Sequence, residues 1–198
     1  MDHYTVFPDS KIFSAGLISG HFLSLGIDRV HSACGYVHQL PYGYNTDRDD
    51  IMILFKENMG SCTTKHSVIA TLAEELGLPI FKSIGIYAMT GDIVAGAGEI
   101  SEKFGLPYIP MLHCFLEYDQ YRIDLTQGNH NGKKRAIENF LFTRQVAPNI
   151  SGNEEYLLYR QVLKDLISER QELHSFKMVE ILKAREEGIK LLKFNLKQ

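Results

Sequence analysis

A chain of 198 residues, 44% hydrophobic and 23% charged, can bury a sizeable core and has the composition of one globular domain with a helical appendix. Its formal net charge of -3, without a long basic run, excludes the electrostatic footprint of a nucleic-acid binder or of a protein drawn to anionic membranes. No apolar run approaches the roughly 20 residues of a membrane span. The start, Met1-Asp2-His3, lacks the basic-then-apolar order of a secretory leader, and Cys34, Cys62 and Cys114 are an odd, sparse set unlike a disulfide framework, so a cytoplasmic protein is expected.

Pro8-Asp9-Ser10 carries a helix-start signal, followed by a mildly apolar run broken by Gly16, Gly20 and Gly26. Asp28 is placed to cap a helix whose inner face is Val30, Ala33, Cys34 and Val37, with Cys34 as core packing. Pro41 to Asp47 is a turn-rich loop with two aromatics, Tyr42 and Tyr44, and Ile51 to Phe55 is a short apolar stretch read as helical.

Gly60-Ser61-Cys62 then opens an amphipathic run in which Cys62, His66, Ile69, Ala70, Ala73 and Leu76 share one face. Gly77, followed by Leu78-Pro79, is a stop signal, so a helix is expected from Cys62 to Gly77. Cys62 falls in its first turn, where backbone N–H groups and the positive end of the helix dipole favour the thiolate, the nucleophilic form.

Ile80 to Met89 reads as a strand, and Gly91 to Gly105 as a glycine-rich connection that becomes helical around Ile100-Ser101-Glu102. Gly96-Ala97-Gly98 lacks the further glycine and the Lys-Ser/Thr of a nucleotide loop. Tyr108 to Tyr118 and Tyr121 to Thr126 read as two strands joined at Asp119-Gln120, followed by a polar loop from Gln127 to Gly132 and a helix over roughly 134–145. After Pro148-Asn149 the pattern changes: Ser151 and Glu154 form a capping box ahead of two apolar helical stripes. The domain division expected is 1–150 for the body and 151–198 for a helical extension, packed on it or on a second copy in a homo-oligomer.

A thiolate nucleophile needs a base and a third group to orient that base. His113 lies inside an apolar strand and Asp124 is flanked by Ile123 and Leu125. A carboxylate in such surroundings is costly unless paired. With a two-residue turn, Tyr118 pairs with Tyr121 and Phe115 with Asp124. His113 and Asp124 are then diagonal neighbours on one face, roughly 7 Å apart at Cβ. Cys114 points the other way, into the core.

The ordered Cys62, His113 and Asp124-Leu125-Thr126, with their helix and strand contexts, resemble the transglutaminase-like superfamily of papain-like cysteine enzymes over roughly residues 30–127. That resemblance implies an α+β fold, with the nucleophile helix packed on an antiparallel sheet and additional C-terminal helices outside the core. It also implies acyl transfer through a thioester on a peptide or amide substrate, by hydrolysis or transamidation, with no cofactor or metal. The sequence departs from the family in having no tryptophan, with Phe115 two residues after the histidine, and in Ile80-Phe81 where Ala-Arg is frequent. An oxyanion site would use the Cys62 N–H plus a donor from the preceding loop, for which Gln39 and Asn45 are the candidates. Two other readings are a non-catalytic binding module on the same fold and a zinc protein using Cys62, His66 and His113.

Overall fold

A computed structural model describes residues 3–197; Met1 and Asp2, which open the stretch read for a leader, and Gln198 lie outside them. The described elements are α1 (Leu17–Ser24), α2 (Val30–Gln39), α3 (Ile53–Glu57), α4 (Cys62–Leu76), β1 (Phe81–Met89), α5 (Ala97–Phe104), β2 (Ile109–Tyr118), β3 (Tyr121–Ile123), β4 (Phe142–Gln145), α6 (Gly152–Glu169) and α7 (Met178–Asn195). The architecture is α+β, with an antiparallel sheet in the order β3-β2-β1-β4. Two compact units are distinguished: 1–84 with 114–129 and 144–151, and 85–113 with 130–143 and 152–198. The division falls within β1 after Ile84 and within β2 after His113.

The first unit is built on α4. Gly60 enters it at a position where a Cβ would stand 2.7 Å from both the Leu54 and Thr64 side chains, so only glycine allows this approach. Gly77 ends it in the left-handed conformation at φ 65°, and Leu78 N–H returns to Ala73 O at 2.8 Å. Val68, Ile69, Leu72 and Ala73 of α4 join Phe22, Val30, Cys34, Val37, Leu116 and Leu125 in one apolar core. The α1 N-terminus is tied to α4 by Glu75, whose carboxylate accepts the Ile18 and Ser19 N–H groups at 2.9 and 2.7 Å.

Two start signals act differently from their sequence reading. Arg29, not Asp28, precedes the first turn of α2, because Lys11 and Arg29 form an antiparallel bridge that holds residues 28–29 extended. Asp9 starts no helix of its own. Its carboxylate accepts the His31 N–H at 3.0 Å and pairs with Arg29 at 2.8 Å, serving the first turn of α2 from 22 residues away.

In the sheet, β2 and β3 are antiparallel with Tyr118 opposite Tyr121, the register expected of a two-residue turn. Asp119 there adopts φ 51°. The strand stops at Ile123, however, three residues short of the expected Thr126. Residues 134–145 form no helix. Leu141 N–H donates to Ile86 O at 2.7 Å and Val146 N–H to Lys82 O at 3.0 Å, so the segment satisfies the free edge of β1. The Phe140 ring lies against Gly85, where a Cβ would be 2.1 Å from it. Tertiary pairing thus overrides local helix propensity.

The C-terminal helices share the second unit with residues 85–113 and 130–143, so they do not make the separate extension expected from residue 151. Tyr159, Val162, Leu163, Ile181 and Leu192 supply its core together with Ile86, Ile109 and Met111. The buried Tyr159 hydroxyl is satisfied by Pro110 O at 2.8 Å. Among the described residues no helix is long and apolar enough to cross a membrane.

Candidate active site

Cys62 is the first residue of α4, buried except for 8% of its surface. The loop before it is fastened at two places. Gly60 N–H donates to Pro41 O at 3.1 Å and Gly43 N–H to Gly60 O at 3.2 Å, forming a parallel bridge between Tyr42 and Gly60. Ser61 N–H donates to Thr64 Oγ1 at 3.1 Å, and that hydroxyl donates to Asn45 Oδ1 at 2.7 Å. Asn45 Nδ2 in turn donates to Glu57 Oε2 at 2.8 Å and Met59 O at 2.9 Å. These bonds make Asn45 the pin of the helix entrance and leave its amide committed. As an oxyanion donor it is therefore set aside, while Gln39 is an exposed residue at the end of α2.

The bridge seats Tyr42 over the start of α4. Its hydroxyl accepts the Cys62 backbone N–H. Burial, then the neighbouring charges of Cys62, Tyr44 and Asp124, hold its phenol well above the usual tyrosine range. The Tyr44 ring stands edge-on to it, 6.1 Å between centroids.

Asp124 lies just past β3 in a turn of its own making. Its Oδ1 accepts the Thr126 N–H at 2.8 Å and the Thr126 hydroxyl at 2.6 Å. Such local side-chain bonds compete with the strand ladder, which is why β3 ends at Ile123. The next residue, Leu125, donates its N–H to His66 Nε2 at 2.8 Å. That assigns Nε2 as acceptor and the ring proton to Nδ1. His66, fully buried one turn after Cys62, is then neutral, and its 3.5 Å approach to Asp124 Oδ1 is a close contact rather than an ion pair.

Lys65, also fully buried, donates from Nζ to His38 O at 3.2 Å and to Leu40 O. Asn129 Nδ2 meets the same two carbonyls at 2.9 and 3.1 Å. Burial lowers the Lys65 pKa to about 8 against the opposing pull of Asp124. Asp124 keeps 21% of its side chain exposed, at a cavity of about 270 Å³ lined by Tyr4, His38, Leu125 and Gln127 among others.

His113 is 2% exposed on β2, its ring edge-on to that of Tyr87 with centroids 6.5 Å apart. The residue bonded to it, Cys114, is fully buried, and its Sγ lies 3.6 Å from Thr63 Oγ1 of α4. Within the first unit the fold therefore gathers Cys62, Tyr42, His66 and Asp124 around the start of α4 and the 124–126 turn. Among the described residues no three His, Cys, Asp or Glu side chains are grouped to hold a metal ion, so the zinc set Cys62–His66–His113 is not formed. Two structural partners escaped the sequence reading: Thr126 as the holder of Asp124, and His66 as the acceptor that anchors Leu125. An Asp-x-Thr spacing is itself a turn signal and could have identified the first. No local signal marks the second. Comparison with protein-family models, with curated proteins and with solved structures finds no match.

Proposed function

We propose that this chain is a cysteine-dependent acyl-transfer enzyme with a transglutaminase-like core, in which Cys62 is the nucleophile, His113 the general base and acid, and Asp124 the group that orients the imidazole. The position of Cys62, the first residue of a 15-residue helix whose N-terminus favours the thiolate, carries the assignment. Further support comes from the carboxylate of Asp124, held by the Thr126 hydroxyl and N–H.

In this reaction the Cys62 sulfur attacks the carbonyl carbon of a peptide or amide group. Electrons move onto the carbonyl oxygen, and the tetrahedral species collapses to a thioester as the leaving amine takes a proton from His113. Water or an amine then attacks the thioester and returns the thiol. A quenched acyl probe tests this: stoichiometric acylation of Cys62, sparing Cys34 and Cys114 in a peptide map, is the expected result. Acylation of none of the three, in folded protein, would leave the binding module as the better account.

A further inference from the structure

We propose that the cavity beside Asp124 binds a small organic cation bearing N–H donors, an alkylguanidinium or alkylammonium ion, with the Asp124 carboxylate and His38 Nε2 as its acceptors. The site does not depend on the acyl-transfer reading above. The cavity measures about 270 Å³, and roughly 150 Å³ is enough to hold benzene, so a cation with a short alkyl chain fits. His3, Tyr4, His38, Asp124 and Gln127 are in its wall, and among the described residues that line it none is Lys or Arg. With histidines counted as neutral, the formal charge of the wall is that of Asp124, whose side chain is 21% exposed.

Both acceptors are held in place. Asp124 Oδ1 takes the Thr126 N–H and hydroxyl at 2.8 and 2.6 Å. Its availability to a ligand rests on its exposure, since a carboxylate accepts several hydrogen bonds at once. His38 Nδ1 meets Leu125 O at 3.0 Å. A carbonyl only accepts, so the ring proton is on Nδ1, and Nε2 is the acceptor of the neutral ring. The His38 carbonyl takes the Asn129 amide at 2.9 Å and Lys65 Nζ at 3.2 Å, which fixes the end of α2. Lys65 is itself fully buried and takes no part in the wall. The Tyr4 ring, 6.3 Å from that of His38 and tilted by 51°, adds an aromatic surface. A carboxylate, an imidazole lone pair and a phenol ring all attract a cation, and the first two also accept its N–H groups.

Titration calorimetry on the full chain tests this with three probes. Butylguanidinium carries charge and N–H donors, butylurea has nearly the same shape without the charge, and tetramethylammonium has the charge without an N–H. Butylguanidinium is expected to bind at one site, about tenfold or more tightly than either of the others. Asp124→Asn should weaken it about tenfold and His38→Phe about fivefold. Absence of saturable heat from butylguanidinium up to about 10 mM overturns the proposal. Equal affinity for butylurea overturns it too, because the cavity would then be only an apolar hole. Equal affinity for tetramethylammonium shows diffuse attraction without the two acceptors, and unchanged affinity in either variant puts the ligand elsewhere; both overturn it. If a variant does not fold, ring signals of the wild-type protein labelled with 15N-histidine decide. Butylguanidinium should shift those of His38 and leave those of His21, which packs on Phe55 at 4.2 Å between centroids, unmoved. Unmoved His38 signals, or equal shifts at both residues, overturn the proposal.

Discussion

His66 Nε2 accepts the Leu125 backbone N–H at 2.8 Å, a bond across 59 residues that ties α4 to the turn carrying Asp124. Because both groups are fully buried or nearly so, removing the ring leaves an amide without a partner and a void beside it. His66→Ala should cost about 3 kcal/mol in stability, read as a lower urea midpoint at unchanged slope. An unchanged midpoint would show that water takes over the Leu125 N–H.

Thiol reactivity should divide the cysteines sharply. Cys34 and Cys114 have no exposed surface, and burial pushes the Cys34 thiol far up. A thiol reagent should titrate one group quickly in the native protein, at Cys62, and three after unfolding. The alkylation rate at Cys62 should rise with pH at an apparent pKa below the free value of about 8.5, and His113→Ala should move that rise upward.

Asp124 and Thr126 act as a pair. Asp124→Asn should leave the fold standing and lower turnover by up to about 10⁴-fold, through a misoriented imidazole. Thr126→Val removes the hydroxyl that meets Asp124 Oδ1 at 2.6 Å, and should lower kcat less, with KM unchanged. A Thr126→Ser variant should restore the rate. If Val and Ser behave alike in kcat, the hydroxyl does not hold the carboxylate in a working position.

Lys65 gives stability a pH dependence of defined sign. Its pKa falls from 10.5 to about 8 on folding, chiefly through burial, so the folded state releases the proton first. Between about pH 8 and 10.5 the unfolded chain binds more protons at this site, and stability from this residue rises with pH. A neutral amine still has two N–H groups for His38 O and Leu40 O. Urea midpoints at pH 7.5 and 9.5 should therefore shift in favour of wild type relative to Lys65→Met at the higher pH. A shift of the opposite sign would mean that the charged form is the one the carbonyls hold.

Removing residues 152–198 should unfold the second unit rather than merely alter association, because Tyr159, Leu163, Ile181 and Leu192 are part of its core. Loss of a cooperative unfolding transition in the truncated chain is the expected observation. Retention of the full transition would restore residues 151–198 as a separate extension.

The sequence by itself determined what is decided within a few residues. A glycine, a cap and an apolar face of helical period place α4 at Cys62, and Gly77 with Leu78-Pro79 ends it, because each signal works through bonds one turn away. The β2–β3 register was equally legible, since a two-residue turn leaves one pairing. Tertiary structure alone decided the rest. Residues 134–145 became an edge partner of β1, Asp9 served a helix far along the chain, and Asn45 was consumed as a pin while the Tyr42 hydroxyl came to the Cys62 N–H. In each case buried or edge backbone groups took the nearest partner in space, and distance in space is not written in spacing along the chain.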